Sequence, residues 1–196
     1  MNLYEPESNF LIGYGIPEKG TYLDLGAAHP IRCSLTSFLR DAGWRGLAID
    51  GNQDYQNDWA DAGFGAHFVC AVLSDQPTAR FCVHENSFTS RISPCEERDR
   101  PEQWGILRTE TRSCVPLEHL LDVHDIGQID VLSCDLEGHE LQVLKTLDFA
   151  RHTPTFVIVE FVTQGEGINC DVANYLVELG YRLIHMTSSN LIFKRE

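Results

Sequence analysis

The stretch that decides the fold is Gly20-Thr21-Tyr22-Leu23-Asp24-Leu25-Gly26-Ala27-Ala28-His29. Its apolar and aromatic residues are typical of a buried strand. Gly26 indicates a tight turn, and the small side chains of Ala27 and Ala28 let a ligand approach its backbone closely. Beyond the turn, apolar side chains recur at helical spacing and predict a first helix over about residues 33–42. Since open α/β sheets bind ligands at the carboxyl ends of their strands, this unit predicts a turn that contacts a ligand.

The residues around the turn indicate which ligand it takes. The dinucleotide fingerprint needs further glycines, whereas Ala28 and His29 follow Gly26 here. A carboxylate at Asp24 repels phosphate and suits a cationic ligand such as S-adenosylmethionine, which has a sulfonium and an ammonium group. The alternative is a buried Asp24 that hydrogen-bonds the backbone. Asp50 ends the second strand, where an acid binds ribose hydroxyls. NAD and S-adenosylmethionine both contain an adenosine ribose, so Asp50 does not separate them.

Composition and charge limit the class of protein. The chain has 196 residues, 43% of them hydrophobic, which predicts a single domain over residues 1–196. A net charge of −14 argues against nucleic acid and against an anionic membrane as partners. The seven cysteines are odd in number, lack a C-x-x-C pair and lie largely in apolar runs. We therefore expect reduced cysteines, no signal peptide, no membrane span and a cytoplasmic location.

Strand and helix patterns alternate along the chain. Strands are predicted at residues 20–25, 46–50, 66–73, 79–83, 129–135 and 155–161. Helices are predicted at residues 137–147 and after a cap at Asp171. Residues 181–186 and 190–194 are joined by three residues only, which predicts an antiparallel hairpin. The expected fold class is thus α/β and Rossmann-like, and a parallel sheet that ends in a hairpin resembles that of class I methyltransferases. We expect a seven-stranded, mostly parallel sheet with helices on both faces.

Residues 84–114 form the least regular stretch and are predicted to be an insertion. Segments of this length within a compact domain are usually functional or disordered. Phe88 and Trp104 lie among five arginines, which are Arg91, Arg98, Arg100, Arg108 and Arg112. One interpretation is a lid that binds the methyl acceptor, with arginines that meet acidic or phosphorylated groups. The other is a variable surface loop.

Several motifs together resemble one family. They are Tyr22-Leu-Asp-Leu-Gly-Ala-Ala28, Gly43-Trp-Arg-Gly-Leu-Ala-Ile-Asp50, Ala71-Val-Leu-Ser-Asp75, Val115-Pro-Leu-Glu-His-Leu-Leu121, the segment from Ile129 to Lys145 with Asp135-Leu-Glu-Gly-His-Glu140, and Pro154-Thr-Phe-Val-Ile-Val-Glu160. Over roughly residues 20–161 the chain resembles the FkbM family of S-adenosylmethionine-dependent methyltransferases. His29, Pro30 and Asp50 depart from the usual family pattern. The resemblance implies an O-methyltransferase that acts on a hydroxyl of a sugar or natural product and releases S-adenosylhomocysteine.

The candidate site residues follow from strand ends and from this resemblance. For the base that deprotonates the acceptor we expect Asp135 first, then Glu137, with His139 and His29 behind. Helix charge complementarity for Glu137 and Glu140, and a solvated position for His139, are the alternatives. The expected cofactor-binding residues are Asp24, Gly26, Ala27, Ala28, Asp50, Gly51, Asn52, Cys70, Ala71, Asp135 and Leu136.

Metal dependence and two rival functions stay open at this point. Mg²⁺ or Mn²⁺ would be held by oxygen ligands from Asp135, Glu137 and Glu160. For Glu160, backbone binding by a strand-end carboxylate is the alternative. The rival functions are a nicotinamide-binding oxidoreductase and a non-catalytic S-adenosylmethionine-binding module. The missing glycines and the final hairpin disfavour the first, while intact acidic strand ends disfavour the second.

Overall fold

The structure is a computed structural model that describes residues 5–32, 34–92, 105–163, 167–168 and 170–196. Its strands are β1 (Thr21–Leu25), β2 (Arg45–Asp50), β3 (Phe68–Cys70), β4 (Val72–Leu73), β5 (Thr78–His84), β6 (Arg91–Ile92), β7 (Ile106–Val115), β8 (Val131–Cys134), β9 (Phe156–Glu160), β10 (Val162–Thr163), β11 (Gly167–Ile168), β12 (Tyr181–Met186) and β13 (Asn190–Arg195). Its α-helices are α1 (Glu5–Tyr14), α2 (Ser37–Asp41), α3 (Tyr55–Asp61), α4 (Leu117–Val123), α5 (Glu140–Leu144), α6 (Phe149–His152) and α7 (Asp171–Glu178).

Seven strands form the main sheet in the order β12-β13-β9-β8-β1-β2-β3. β1 pairs in parallel with both β2 and β8, and the pairs β2–β3 and β8–β9 are also parallel. The chain moves outward from β1 to β3 and then returns to the other side of β1 to form β8 and β9. The carboxyl ends of β1 and β8 therefore flank the point where the strand order reverses, which is where such sheets bind ligands.

The predicted seven-stranded, mostly parallel α/β sheet is confirmed by this topology. β12 and β13 pair antiparallel, with one register irregularity between Leu183 and His185. β13 also runs antiparallel to β9. The three-residue link from Met186 to Asn190 accounts for this direction, because a parallel connection needs a dozen or more residues.

Alternate residues of the central strands enter two different cores. In β1, Leu23 and Leu25 pack with residues of α4, α5 and α7, while Tyr22 packs with α1 and α2. β9 divides in the same way, with Val157 and Val159 on the first face and Ile158 on the second. Because successive strand side chains point to opposite faces, this division places helices on both sides of the sheet.

Three predicted helix boundaries are wrong, for local reasons. α2 begins at Ser37 rather than near residue 33, and Thr36 at its cap makes no side-chain cap bond. α7 begins at Asp171 itself, so the cap position belongs to Cys170. α5 spans only Glu140–Leu144, because the backbone at residues 137 and 138 is left-handed, with φ of 54° and 96°.

The predicted third strand also divides between two sheets. β3 belongs to the main sheet, whereas β4 pairs in parallel with β7 in a second sheet of order β4-β7-β5-β6. β5 confirms the short strand predicted at residues 79–83.

The prediction of an irregular stretch is wrong for residues 106–114, which belong to β7, a strand that pairs antiparallel with β5. The sequence of this strand has no clean apolar alternation, because both of its faces are partly exposed. The remainder of the predicted insertion includes residues 93–104, so Arg98, Arg100 and Trp104 lie outside the described residues.

The cysteines agree with the sequence prediction in part. Cys70, Cys114, Cys134 and Cys170 are free. The prediction of reduced cysteines is wrong for Cys82, which is disulfide-bonded. A cytoplasmic location therefore stays a prediction, and one of its premises is lost.

Among the described helices, none has the length and hydrophobicity that a membrane span requires.

Candidate active site

The turn after β1 brings the ends of two strands into contact. The backbone N–H groups of Gly26 and Ala27 both donate to the carbonyl of Ile49, over 2.9 and 3.1 Å. Gly26 has a φ of 82°, and a Cβ built on it would lie 1.7 Å from the backbone oxygen of Asp135. Only glycine permits this approach. The turn thereby places the end of β1 directly against the loop that follows β8.

Asp50 is fixed at the end of β2 by two backbone donors. The N–H of Ala28 donates to its Oδ2 over 2.9 Å, and the N–H of Asn52 donates to its Oδ1 over 2.7 Å. Burial raises the pKa of this carboxyl to about 6 against the effect of these two hydrogen bonds. A carboxylate oxygen accepts more than one hydrogen bond, so Asp50 retains capacity for ligand hydroxyls.

Asp24 contacts protein groups on the interior of the fold. It is 2% exposed, and the Thr36 hydroxyl donates to its Oδ2 over 2.6 Å. Burial raises its pKa to about 6, while hydrogen bonds from Thr36 and Ser133 act in the opposite direction. This contact joins β1 to the start of α2 and explains why the Thr36 hydroxyl does not cap that helix. Asp24 is not among the described residues that line the cavity.

A cavity of about 510 Å³ opens at the switch point of the sheet. Its walls come from the ends of β1, β2 and β8, from the second sheet and from the turn of the C-terminal hairpin. The predicted site residues that line it are Gly26, Ala28, Asp50, Gly51, Ala71, Asp135, Leu136, Glu137, His139 and Glu160. The predicted residues that are not among its described lining are Asp24, Ala27, His29, Asn52 and Cys70.

The loop after β8 is held in shape by one buried carboxylate. Glu140 is 1% exposed, and its Oε1 accepts from the N–H groups of Leu136 and Gly138 over 2.8 and 3.0 Å. These bonds close the loop around Glu137, whose φ of 54° is uncommon for a residue with a side chain. Burial raises the pKa of Glu140 to about 7, and the charge of Asp135 adds to the effect. Glu140 is therefore a structural residue of the loop.

Three carboxylates meet beside this loop. Side-chain oxygens of Asp135, Glu140 and Glu160 all lie within 4.8 Å of one another. Glu160 is 8% exposed, and its Oε2 has no hydrogen-bond partner among the described residues. Burial, followed by the charges of Asp135, Glu137 and Glu140, strongly raises the pKa of Glu160. The structure thus brings two of the three predicted metal ligands together and adds Glu140, while Glu137 is outside this group.

The two candidate histidines lie in different places. His139 lines the cavity, and burial lowers its pKa. Its imidazole is consequently neutral at pH 7 and able to accept a proton. The Nδ1 of His29 accepts from the backbone N–H groups of Ile31 and Arg32, over 3.1 and 3.3 Å. Those contacts stabilise the loop after the Gly26 turn. Of the two candidate histidines, His139 is the one on the cavity wall.

The second sheet and the hairpin contribute lining that the sequence did not indicate. Phe81 and Leu73 cover one side of the cavity, while Glu7 of α1 and residues 187–189 form another part of its wall. Of these positions, Leu73 alone lies in one of the motifs quoted above, and that motif gave no indication that it faces the cavity. Within the predicted lid, Phe88 and Arg91 do line the cavity.

Other arginines of the predicted lid are engaged with the protein's own acids. Arg108 forms ion pairs with Asp54 and Glu110, and Arg112 forms one with Glu110. These two arginines therefore support the second sheet.

Comparison with known protein families adds a direct finding. The methyltransferase FkbM domain matches residues 24–183 of the 196-residue chain. Among curated proteins, none matches this chain. The matched segment contains the Gly26 turn, Asp50 and the whole loop from Asp135 to Glu140. The chain therefore belongs to the family of proteins with the FkbM methyltransferase domain.

Proposed function

We propose that this protein is an S-adenosylmethionine-dependent O-methyltransferase that methylates a hydroxyl group of a sugar or a small natural product. The observation that supports it most directly is the position of Asp50. Two backbone N–H groups hold its carboxylate at the cavity wall, one strand away from the Gly26 turn. A fixed carboxylate at this place suits the two hydroxyls of a cofactor ribose.

The neighbouring residues suit the remainder of the cofactor. Gly51, Ala71 and Phe81 form a largely apolar part of the wall beside Asp50, which we assign to the adenine ring. Gly26 and Asp135 lie at the switch point, where the methionine part would approach the backbone closely. When bound, S-adenosylmethionine supplies an activated methyl group and leaves as a neutral thioether. Positioning is therefore the main contribution that the protein makes to the reaction.

A base must still remove the proton of the acceptor hydroxyl. Asp135, Glu137 and His139 all line the cavity, and all three remain candidates. His139 is neutral at pH 7 because burial lowers its pKa. Glu160 retains its proton at that pH because burial and its acidic neighbours raise its pKa, so we do not assign it as the base. In the overall reaction the new O–CH₃ bond forms, the S–CH₃ bond breaks and one proton is released.

A histidine base and a carboxylate base predict different pH profiles. If His139 is the base, His139→Gln removes the rise of kcat/KM near the imidazole pKa, with a loss of about 10²–10⁴-fold. If Asp135 or Glu137 is the base, its amide variant, Asp135→Asn or Glu137→Gln, gives that loss and His139→Gln preserves the profile.

A divalent cation is a further proposal for this site. The oxygens of Asp135, Glu140 and Glu160 suit Mg²⁺ or Mn²⁺ by their number and chemistry. The unpartnered Oε2 of Glu160 supports it, since a bound cation would displace the Glu160 proton and give this buried oxygen a partner. Titration of Mn²⁺ into the wild type and into Glu160→Gln tests the proposal. Equal binding to both, or binding to neither, contradicts it.

The cofactor is tested by calorimetric titration of S-adenosylmethionine, S-adenosylhomocysteine and NAD in parallel. We expect the first two to bind and Asp50→Ala to weaken them by about 10–100-fold, as loss of a hydrogen bond to a charged group predicts. Asp61→Ala is the matched control, because Asp61 is exposed at the end of α3. Thermal unfolding of each variant separates loss of the ribose contact from loss of the fold.

Two outcomes of this titration, and one outcome of a turnover assay that follows it, would contradict the proposal in different ways. Binding of NAD alone would favour a nicotinamide-dependent oxidoreductase. Cofactor binding without release of S-adenosylhomocysteine across a broad panel of hydroxylated acceptors would favour a non-catalytic binding module. Absence of all binding would remove the basis of the assignment to Asp50.

A further inference from the structure

Glu7 of α1 is joined to the C-terminal hairpin across almost the whole length of the chain. Its Oε1 accepts from the Thr187 hydroxyl over 2.7 Å and from Nδ2 of Asn190 over 3.0 Å. Glu7 is 3% exposed, and Asn190 is also buried. Two donors from one turn thus determine the orientation of a buried carboxylate.

The other oxygen of this carboxylate is unused. Oε2 of Glu7 is buried and has no hydrogen-bond partner among the described residues. Glu7 lines the same cavity as the candidate active site, together with the hairpin residues Thr187, Ser188 and Ser189. A buried carboxylate oxygen without a donor is unfavourable, unless a ligand supplies the donor. Glu7 therefore retains one acceptor oxygen for a donor group of a molecule in the cavity.

The sheet order places Glu7 at the end of the cavity away from Asp50. Asn190, which binds Glu7, is paired with Glu160 across β13 and β9. Those strands lie on one side of β1, and β2 with Asp50 lies on the other. If the ribose lies against Asp50, Glu7 faces the part of the cavity that remains for the methyl acceptor.

The charges of the lining favour one kind of acceptor. Four carboxylates line the cavity, which are those of Glu7, Asp50, Asp135 and Glu137, beside the protonated Glu160, and Arg91 is the one guanidinium among its described lining residues. Acidic or phosphorylated acceptors are repelled by this distribution. Hydroxyls of Thr89, Ser90 and the hairpin turn add groups that bind other hydroxyls. The wall suits a hydroxylated molecule with a positive charge.

We infer that Glu7 binds a protonated amine on a hydroxylated acceptor, so that the substrate class is an amino sugar or an amino polyol. This inference rests on the proposed function, because it concerns the acceptor of the same methyl transfer. It differs from the interpretation of residues 84–114 as a lid for acidic groups.

The test compares sugars that differ only in an amine for a hydroxyl. Glucosamine with glucose, galactosamine with galactose and mannosamine with mannose are titrated into the protein saturated with S-adenosylhomocysteine. Glucuronic acid is the anionic probe. We expect at least one amino sugar to bind ten-fold or more tightly than its partner, and glucuronic acid to bind more weakly than glucose.

The variant Glu7→Gln makes the test specific. Its amide oxygen still accepts from Thr187 and Asn190, but an NH₂ group replaces the free oxygen. We expect the preference for the amine to be lost. Glu18→Gln is the control, since Glu18 is exposed and is not among the described cavity residues. Unfolding midpoints of both variants should equal that of the wild type within a few degrees.

An unchanged amine preference in Glu7→Gln would overturn the inference. So would stronger binding of glucuronic acid, or absence of a preference for any amino sugar in the wild type. Titration of S-adenosylhomocysteine into the same variants separates this failure from failure of the proposed function, since Glu7 lies away from Asp50.

Discussion

Replacement of Glu140 by glutamine should raise the free energy of unfolding at pH 8. At pH 5 the same substitution should raise it much less. The wild-type carboxyl is 1% exposed and lies beside Asp135 and Glu160. Its pKa rises from the ordinary 4.5 to about 7 in the folded protein. The folded state therefore binds a proton more tightly than the unfolded state does. The free energy of unfolding must then fall as pH rises from 4.5 through 7.

The size of the effect follows from that shift. The pKa of Glu140 rises from 4.5 to about 7. At about 1.4 kcal/mol for each pKa unit, ionisation of Glu140 lowers the free energy of unfolding of the wild type by roughly 3 kcal/mol in total. The wild type has already lost part of this free energy of unfolding at pH 5. The difference in free energy of unfolding between Glu140→Gln and the wild type should therefore grow by about 2–3 kcal/mol from pH 5 to pH 8. Glutamine retains an acceptor for the N–H groups of Leu136 and Gly138, so the loop itself should persist.

Urea denaturation at pH 5, 6.5 and 8 in the presence of EDTA measures this difference without bound metal. Glu178→Gln is the matched control, because it makes the same substitution at an exposed position of α7. Glu140→Ala should destabilise at every pH by about 2–5 kcal/mol, since two buried N–H groups lose their acceptor. A Glu140→Gln difference that is flat or shrinks between pH 5 and pH 8 would refute the reasoning.

Three further substitutions have distinct expected outcomes in denaturation and S-adenosylhomocysteine titration. Gly26→Ala should abolish cofactor binding and cost more than about 3 kcal/mol, because its Cβ would overlap the Asp135 carbonyl; unchanged binding would contradict this. Tyr181→Phe removes a buried hydroxyl that donates to a backbone carbonyl over 2.6 Å and should cost about 1–2 kcal/mol. Unaltered stability would show that this hydrogen bond contributes nothing. Arg108→Gln should cost under about 1 kcal/mol, because its ion pairs are partly exposed, and a larger loss would mean that they hold the second sheet together.

Local sequence was most informative at the Gly26 turn. The spacing of Asp24, Gly26 and Asp50 predicted a strand–turn–helix unit and an acidic second strand end, and the structure contains both. It could not tell what each acid contacts. Asp24 turns out to bind Thr36 and Asp50 to bind two backbone N–H groups. A strand-end carboxylate has the same local pattern in both situations, since only the surrounding helices determine which donors reach it.

The loop after β8 shows the same limit in another form. The segment from Asp135 to Glu140 was the most specific motif, yet it was expected to begin a helix at Glu137. The structure instead has two left-handed residues there, stabilised by the carboxylate of Glu140. Helical periodicity does not reveal such a turn. The hydrogen bonds that offset its backbone strain are accepted by the side chain of Glu140, which is buried among other acids.

Periodicity, link length and motifs are local in the chain, and they predicted the α/β class, the positions of the main strands along the chain, the antiparallel hairpin and the methyltransferase family. Only the tertiary structure decided which of the predicted residues face the cavity. It also added Glu7 and the hairpin turn to the cavity wall. Glu7 and Thr187 are separated by most of the chain and carry no motif. Their contact depends on α1 packing across the sheet, which is a consequence of the two-sided core and not of any local pattern.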